Sequence, residues 1–253
     1  LFGGGGEGAE LDSGEGALQK FDAAAVDYRL ADTAEMRSEL LSELASVQRF
    51  AFDTETTGLD ARTARLVGMS FSSKPGTGWY VPVPLGDSAK PQKEDSSVVA
   101  LLEEFAPVLQ DASKQLIAQN WKYDLKVMRG AGVKIGCQVF DTMLAHYVLQ
   151  PDLKHGMDYL AEVELGYKTI PITDLLGKKG KNQKTMADIP PEQVCPYACE
   201  DADITLRLAD VFEEKLGQDS PERRIFDTIE MPLVPVLADM ELEGVRLDTD
   251  ALN

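Results

Sequence analysis

Apolar and polar positions along this chain change period several times, and each change marks an element. Val26-Asp27-Tyr28-Arg29-Leu30 alternates and predicts a short strand. Asp32 and Glu35 then resemble a capping box opening a helix whose apolar face is Met36, Leu40, Leu41, Leu44 and Val47. Residues 49–55 predict a second strand, and residues 65–72 and 78–83 two more, divided by the turn-prone Ser73-Lys74-Pro75-Gly76. Their close spacing predicts an antiparallel meander. Val98, Leu101, Leu102, Phe105 and Leu109 recur at helical spacing, and Leu116-Ile117-Ala118 is a short buried strand. A helix over 121–129 closes at Gly130 and Gly132, followed by a brief strand at Val139-Phe140. Helices are expected at 142–149, stopped before Pro151, and at 157–165; then a loop over 168–188 and one or two helices over 192–216. Strands alternating with helices after a meander imply an α/β fold with a mixed sheet.

The ends have a different character. Residues 1–17 contain seven glycines and four acids, which predicts a flexible linker, placed here over 1–25, attached to something upstream. The absence of an initiator Met fits an internal fragment or a processed start. From Glu230 the pattern shifts again: Met231-Pro232-Leu233-Val234-Pro235-Val236-Leu237 places two prolines in an apolar helical run, and Gly244 turns into an expected new strand. This reads as the first element of another domain.

Composition narrows the class. With 253 residues, 43% hydrophobic and 27% charged, the chain has the make-up of a globular protein. It has neither an apolar run long enough for a membrane span nor a signal-peptide pattern at its start. Cys137, Cys195 and Cys199 are odd in number, which suits a reducing cytoplasm better than a disulfide framework, and Cys195 and Cys199 lack the second pair that zinc would need. A net charge of −18 argues against a protein that coats duplex nucleic acid. It leaves open an enzyme that takes a few nucleotides into a cleft where cations supply the positive charge.

Phe50-Ala51-Phe52-Asp53-Thr54-Glu55-Thr56-Thr57-Gly58-Leu59 holds the first candidate chemistry. On a strand, Asp53 and Glu55 point the same way, and two neighbouring like charges are costly without a cation or a shared proton. A polar strand end at the surface is the plainer reading. Gln119-Asn120-Trp121-Lys122-Tyr123-Asp124 stands where a strand yields to a helix, a place where substrates of open α/β sheets gather; Asp124 could equally serve the helix N-terminus. In Tyr197-Ala198-Cys199-Glu200-Asp201-Ala202-Asp203, Tyr197 and Asp201 are one helical turn apart, whereas Asp203 lies about 200° and Glu200 about 100° around from Asp201. The plainer reading is a helix N-terminus rich in acids. Lys178, Lys179, Lys181 and Lys184 form an acid-free stretch that could meet phosphates or merely be solvated. Asp141 is assigned to helix capping.

Taken together, Phe-Asp-Thr-Glu-Thr-Thr-Gly-Leu, Asn-x-Lys-Tyr-Asp and Tyr-x-x-x-Asp, roughly 70 and 77 residues apart, resemble the three motifs of the DEDDy 3′–5′ exonucleases. The resemblance is closest to the proofreading domain of bacterial family A DNA polymerases, covers residues 26–253, and includes the 177–183 loop and the tail from Ile229. It implies a ribonuclease H-like fold, α/β with a mixed five-stranded sheet flanked by helices, over residues 26–230, with 231–253 the truncated start of a polymerase domain. It implies two divalent ions, Mg²⁺ or Mn²⁺, held by Asp53, Glu55, Asp124 and Asp201, with Asp53 bridging them, Glu55 and Asp201 completing one site, Asp124 supporting the other, and Tyr197 orienting the attacking water. Thr56, Leu59, Gln119 and Asn120 resemble contacts to terminal nucleotides, Leu59 as a wedge; Lys154, Lys178 and Lys181 are phosphate candidates. Ile172 stands where an aromatic would stack on substrate, and the lysine loop carries an extra residue. The expected partners are a single-stranded DNA 3′ end and the polymerase domain of the same chain, in a monomeric fragment from the bacterial cytoplasm, associated with the nucleoid. A catalytically silent scaffold and an RNA-trimming exonuclease remain the alternatives.

The helix-face assignment makes the first prediction. Asp201→Ala abolishes cleavage of a 3′-labelled single strand, while Asp203→Ala retains most of it; the reverse order in a gel assay refutes the assignment.

Overall fold

The computed structural model describes residues 18–178, 180 and 183–252. In chain order the elements are β1 Gln19–Lys20, β2 Asp27–Leu30, α1 Ala34–Ser46, β3 Arg49–Thr56, β4 Leu66–Ser72, β5 Thr77–Pro82, α2 Ser96–Leu109, β6 Gln115–Ala118, α3 Trp121–Gly130, β7 Gln138–Asp141, α4 Thr142–Leu149, α5 Met157–Leu165, β8 Tyr167–Lys168, α6 Ile172–Leu176, α7 Pro191–Leu216, α8 Pro221–Ile225, α9 Met231–Glu243 and α10 Thr249–Leu252. A mixed sheet runs in the order β2-β5-β4-β3-β6-β7. The meander is antiparallel, as expected, while β2 joins β5, β6 joins β3 and β7 joins β6 in parallel.

The sheet has six strands rather than the expected five, because β2 extends it beyond the meander. Several local expectations also shift. Thr33, not Asp32, caps α1, its side chain accepting from the Met36 amide. The 168–188 loop contains the second residue of β8, then α6 and a 3₁₀ turn at Met186–Asp188. A single helix, α7, spans 191–216 with Pro196 inside it. Beyond Gly244 there is no strand among the described residues; Asp248 accepts from the Asp250 and Ala251 amides at the start of α10. Gln19–Lys20, within the stretch assigned to a linker, pairs in parallel with Tyr167–Lys168. Pro232 falls in the first turn of the 231–243 helix, after a π-helical turn over Phe226–Glu230, while Pro235 lies inside the helix, which continues past it to Glu243. Val234 and Ala238 of α9 are buried in the same core as α3.

The two faces of the central strands differ in kind, and this places the site. One face presents Phe50, Phe52, Met69, Phe71, Trp79 and Val81 to α1, α2 and α3. Its aromatic rings pack in series: Phe52 meets Phe71 edge-on at 5.3 Å, Phe71 stacks on Phe105 at 5.4 Å, and Trp121 approaches Phe52 at 6.3 Å. Each such pair adds about 0.5–1.5 kcal/mol to plain burial. By alternation, Ala51, Asp53, Glu55, Gly68, Ser70, Gly78 and Tyr80 point to the other face, where α7 packs across β2, β3, β4 and β5. These side chains are mostly small or polar, so a helix can come close. A Cβ on Gly78 would lie 2.5 Å from the Cβ of Cys199, and one on Gly68 would lie 2.3 Å from the Tyr80 ring.

Gly78 therefore sets the spacing between the sheet and the turn of α7 that carries Tyr197 and Asp201. Gly78→Ala is expected to destabilise the chain by about 1–3 kcal/mol. Gly130→Ala, which meets nothing within 4 Å, serves as the control in urea unfolding. Equal midpoints for the two variants would show that α7 is not in tight contact.

Candidate active site

β6 pairs only with Arg49–Ala51 of β3, so the rest of β3 leaves the sheet's parallel half behind. The first turn of α3 runs beside that free stretch, in register with its even-numbered residues. Trp121 meets Phe52, Asp124 accepts from the Thr54 hydroxyl, and the Tyr123 hydroxyl meets Thr56. The odd-numbered residues, Asp53 and Glu55, face α7.

One oxygen each from Asp53, Glu55 and Asp201 lies within 4.8 Å of the others, a separation at which a single cation could hold all three. Asp124 is not in that group but adjoins it: burial first, then the charge of Asp53, raises its pKa well above the usual carboxylate range. Asp53 is pushed up to about 7 by burial. Glu55 rises through burial and Asp53, and Asp201 through burial, Asp53 and Glu55. Two unit charges at this range repel by about 3–4 kcal/mol at an effective dielectric of 20. A helix terminus returns about 0.3–1 kcal/mol, and only within its first turn. Asp201 sits in the third turn of α7, which begins at Pro191, so the reading of an acid-rich helix N-terminus fails there.

Glu55 adds an independent sign. Its Oε1 is buried and has no hydrogen-bond partner, an arrangement that costs free energy unless a cation or proton meets it. The donor set is carboxylate oxygen throughout, which fits hard cations of the Mg²⁺ or Mn²⁺ kind.

The faces of α7 separate as its periodicity requires. Tyr197 lies beside the carboxylates: burial, then Asp201, Glu55 and Asp53, raise its phenol pKa. Asp203 turns to the sheet edge, where it accepts from the Tyr28 hydroxyl at 2.9 Å and the Gly76 amide at 2.8 Å. Glu200, fully buried, accepts from the Tyr167 hydroxyl and the Ile170 amide, each at 2.6 Å. These two acids tie α7 to its neighbours.

The nucleotide-contact candidates are placed unevenly. Thr56 joins Tyr123 at the Gly58 carbonyl, just beyond the bulge at Glu55/Thr56. Leu59 follows with 96% of its surface exposed. Gln119 donates to the His155 carbonyl at 2.8 Å and accepts from Thr142, which joins the end of β6 to the segment bearing Lys154. Asn120 is exposed, with φ of 62°. Lys154, Lys178 and Ile172 are exposed. Lys181 lies outside the described residues. Thr54, Tyr80, Gly68 and Gly78 are parts of the site that motif reading passed over. Tyr80, fully buried, has its phenol pKa raised by burial and by Glu55. A glycine inside a strand pattern is a usable signal of close approach; the role of Thr54 has no such signal.

A family model described as 3′–5′ exonuclease matches residues 28–217. DNA polymerase I of Pseudomonas aeruginosa is 40% identical over 233 residues, 91% of this chain and 25% of its own length. DNA polymerase I of Chloroflexus aurantiacus is 38% identical over 218 residues, 85% of this chain and 22% of its own. The chain thus spans about a quarter of the length of the curated relatives it matches. Among solved structures, Brucella melitensis NrnC bound to pGG aligns with a TM-score of 0.62 at 22% identity, over 87% of this chain and 94% of that one. Escherichia coli RNase D, an exoribonuclease involved in structured RNA processing, aligns with a TM-score of 0.62 at 14% identity, over 87% and 52%. These likenesses establish a ribonuclease H-like fold.

The raised pKa values carry a sign. An acid whose folded pKa exceeds its unfolded value binds more protons when folded, so stability falls as pH rises from about 4 toward the folded pKa, about 7 for Asp53. In EDTA at pH 8, Asp201→Asn is expected to raise Tm by several degrees by removing one repelling charge. The gain should shrink at pH 5. A lower Tm at both pH values would contradict the repulsion.

Proposed function

The chain belongs to the 3′–5′ exonuclease family found in bacterial DNA polymerase I, and from that premise we propose that it removes nucleoside monophosphates one at a time from single-stranded or frayed DNA 3′ ends. The observation that carries this reading is the group formed by Asp53, Glu55 and Asp201 beside Tyr197, inside the family-matched segment.

In this reading Asp53, Glu55 and Asp201 would hold one divalent cation, and Asp53 with Asp124 would hold a second. Bound there, Mg²⁺ or Mn²⁺ would lower the pKa of water and stabilise charge on the attacking and leaving oxygens. The Tyr197 phenol, protonated at neutral pH even at its ordinary pKa, would orient the water by hydrogen bonding rather than act as a base. The exposed apolar side chain of Leu59 wedges against a terminal base, and Thr56, Gln119 and Asn120 line the path beside it. A mispaired terminus costs less to unstack, which gives the preference for frayed ends. Lys154, Lys178 and Lys181 meet phosphates farther along the strand. With a net charge of −18 the fragment binds DNA weakly by itself, and the cations and a linked polymerase domain supply the rest.

The wider assignment follows the same lines. Residues 1–25 serve as a linker whose Gln19–Lys20 pair docks on Tyr167–Lys168, 26–230 form the exonuclease domain, and 231–253, whose α9 packs on that domain's core, begin the polymerase domain, in a monomeric fragment of a cytoplasmic protein that proofreads for its polymerase. No helix among the described residues is long and apolar enough to cross a membrane. A catalytically silent scaffold is the weaker reading, because all four acids and Tyr197 are present.

The test is degradation of a 3′-labelled single strand with Mg²⁺. The unmodified chain is expected to release mononucleotides, and Asp53→Ala and Asp201→Ala to lose at least about a hundredfold in rate, the scale of removing a direct stabiliser of transition-state charge. Equal activity in all three chains, or none in any of them with Mn²⁺ as well, overturns the catalytic reading.

A further inference from the structure

Asp124 stands apart from the three grouped carboxylates, on another element, and is almost fully buried. Burial and the charges of Asp53 and Asp141 all oppose its ionised form. A short side chain in such surroundings keeps one orientation only if something holds it. Two independent contacts do.

The first is Thr54, whose hydroxyl donates to Asp124 Oδ1. Thr54 is itself buried and lies on β3 between Asp53 and Glu55. A β-branched side chain in a strand is stiff at χ1, so the direction of its hydroxyl follows from the backbone that carries the two acids. Asp124 is thereby indexed to Asp53 and Glu55 through one rigid residue.

The second is Asp141. Its Oδ1 accepts from the Met143 amide at 2.9 Å and the Leu144 amide at 3.4 Å, the ordinary cap of α4. The same carboxylate reaches back across the strand ends to α3: Oδ1 accepts from the Asn120 amide at 3.1 Å, and Oδ2 from the Trp121 amide at 2.8 Å. Asn120, the cap residue of α3, makes no side-chain cap bond and is left-handed at φ 62°. Asn tolerates the left-handed conformation better than most residues, and here its backbone amide is held in it by Asp141. Asp141 thus caps two helices at once, and the first turn of α3, which bears Asp124, begins where Asp141 places it.

We propose that Thr54 and Asp141 are positioning residues for Asp124, Thr54 fixing its carboxylate and Asp141 the helical turn beneath it, so that Asp124 is aimed at the Asp53, Glu55 and Asp201 group. Neither touches the substrate. The proposal rests on the reading of this site as a divalent-cation centre.

The experiment compares the unmodified chain with Thr54→Val, which keeps the shape and loses the hydroxyl, Thr54→Ser, which keeps the hydroxyl, and Asp141→Asn. Two readouts are used: kcat and KM on a 3′-labelled single strand with Mg²⁺, and the Mn²⁺ concentration that half-saturates the rise in Tm, which needs no turnover. Thr54→Val is expected to lower kcat about tenfold and raise the Mn²⁺ half-saturation about tenfold, the scale of losing a partner that orients a metal ligand, while KM changes less than twofold. Thr54→Ser is expected to restore both. Asp141→Asn should move both in the same direction, and the double variant by less than the product of the single effects, because both act through Asp124. Thr54→Val with an unchanged Mn²⁺ half-saturation, or a Thr54→Ser chain no better than Thr54→Val, overturns the proposal. If the unmodified chain cleaves nothing, the exonuclease reading falls, and the positioning role is still decided by the Mn²⁺ titration of Tm.

Discussion

Mutual repulsion among buried carboxylates is the constraint on which the rest of this molecule depends. Asp53, Glu55 and Asp201 bring oxygens within 4.8 Å of one another, with Asp124 alongside, and burial pushes all four toward the protonated form. Such a group does not assemble by its own attraction. It is forced together by elements whose packing is favourable elsewhere: the aromatic series from Trp121 through Phe52 and Phe71 to Phe105 on one face, and α7 pressed onto the small-residue face on the other. The free energy stored there is what a cation would release.

The alternation of β3 is how one strand serves both needs. Phe50, Phe52 and Thr54 bind it to the apolar core and to α3; Ala51, Asp53 and Glu55 bind it to α7 and the charged group. Closeness on the α7 side comes from what is missing there. Gly78 leaves room for the Cys199 turn, and Gly68 leaves room for the Tyr80 ring beneath Glu55. Elsewhere around α7, Glu200 and Asp203 use hydrogen bonds to Tyr167, Ile170, Tyr28 and Gly76 to stop the helix from rotating away. Acids of one heptad-length stretch thus divide between chemistry and anchorage according to helix face.

Much of this was legible beforehand, and the failures have physical causes. Strand and helix periods located the meander, α2, α4, α5 and α7, and the separation of Asp201 from Asp203. Capping at α1 moved by one residue because Thr33 and Asp32 are both competent caps and only the backbone decides between them. The sixth strand escaped the count because a four-residue β2 acquires its place from pairing with β5. Asp141 was legible as a cap of α4, but its bonds to Asn120 and Trp121 cross from one strand end to the next and leave no local pattern.

What the sequence alone determined is whatever depends on neighbours along the chain. A repeat of two sets Asp53 and Glu55 on one face of a strand, and a repeat of 3.6 sets Tyr197 and Asp201 on one face of a helix. Motif spacing identified the family because the three motifs occur in order. Which face meets which, at what distance, and how each carboxylate is held belonged to the tertiary structure. Those contacts join residues far apart in sequence, such as Thr54 with Asp124 and Gly78 with Cys199, and exist only once the sheet and α7 have closed on each other. Local geometry fixes directions within an element; only packing decides where those directions converge.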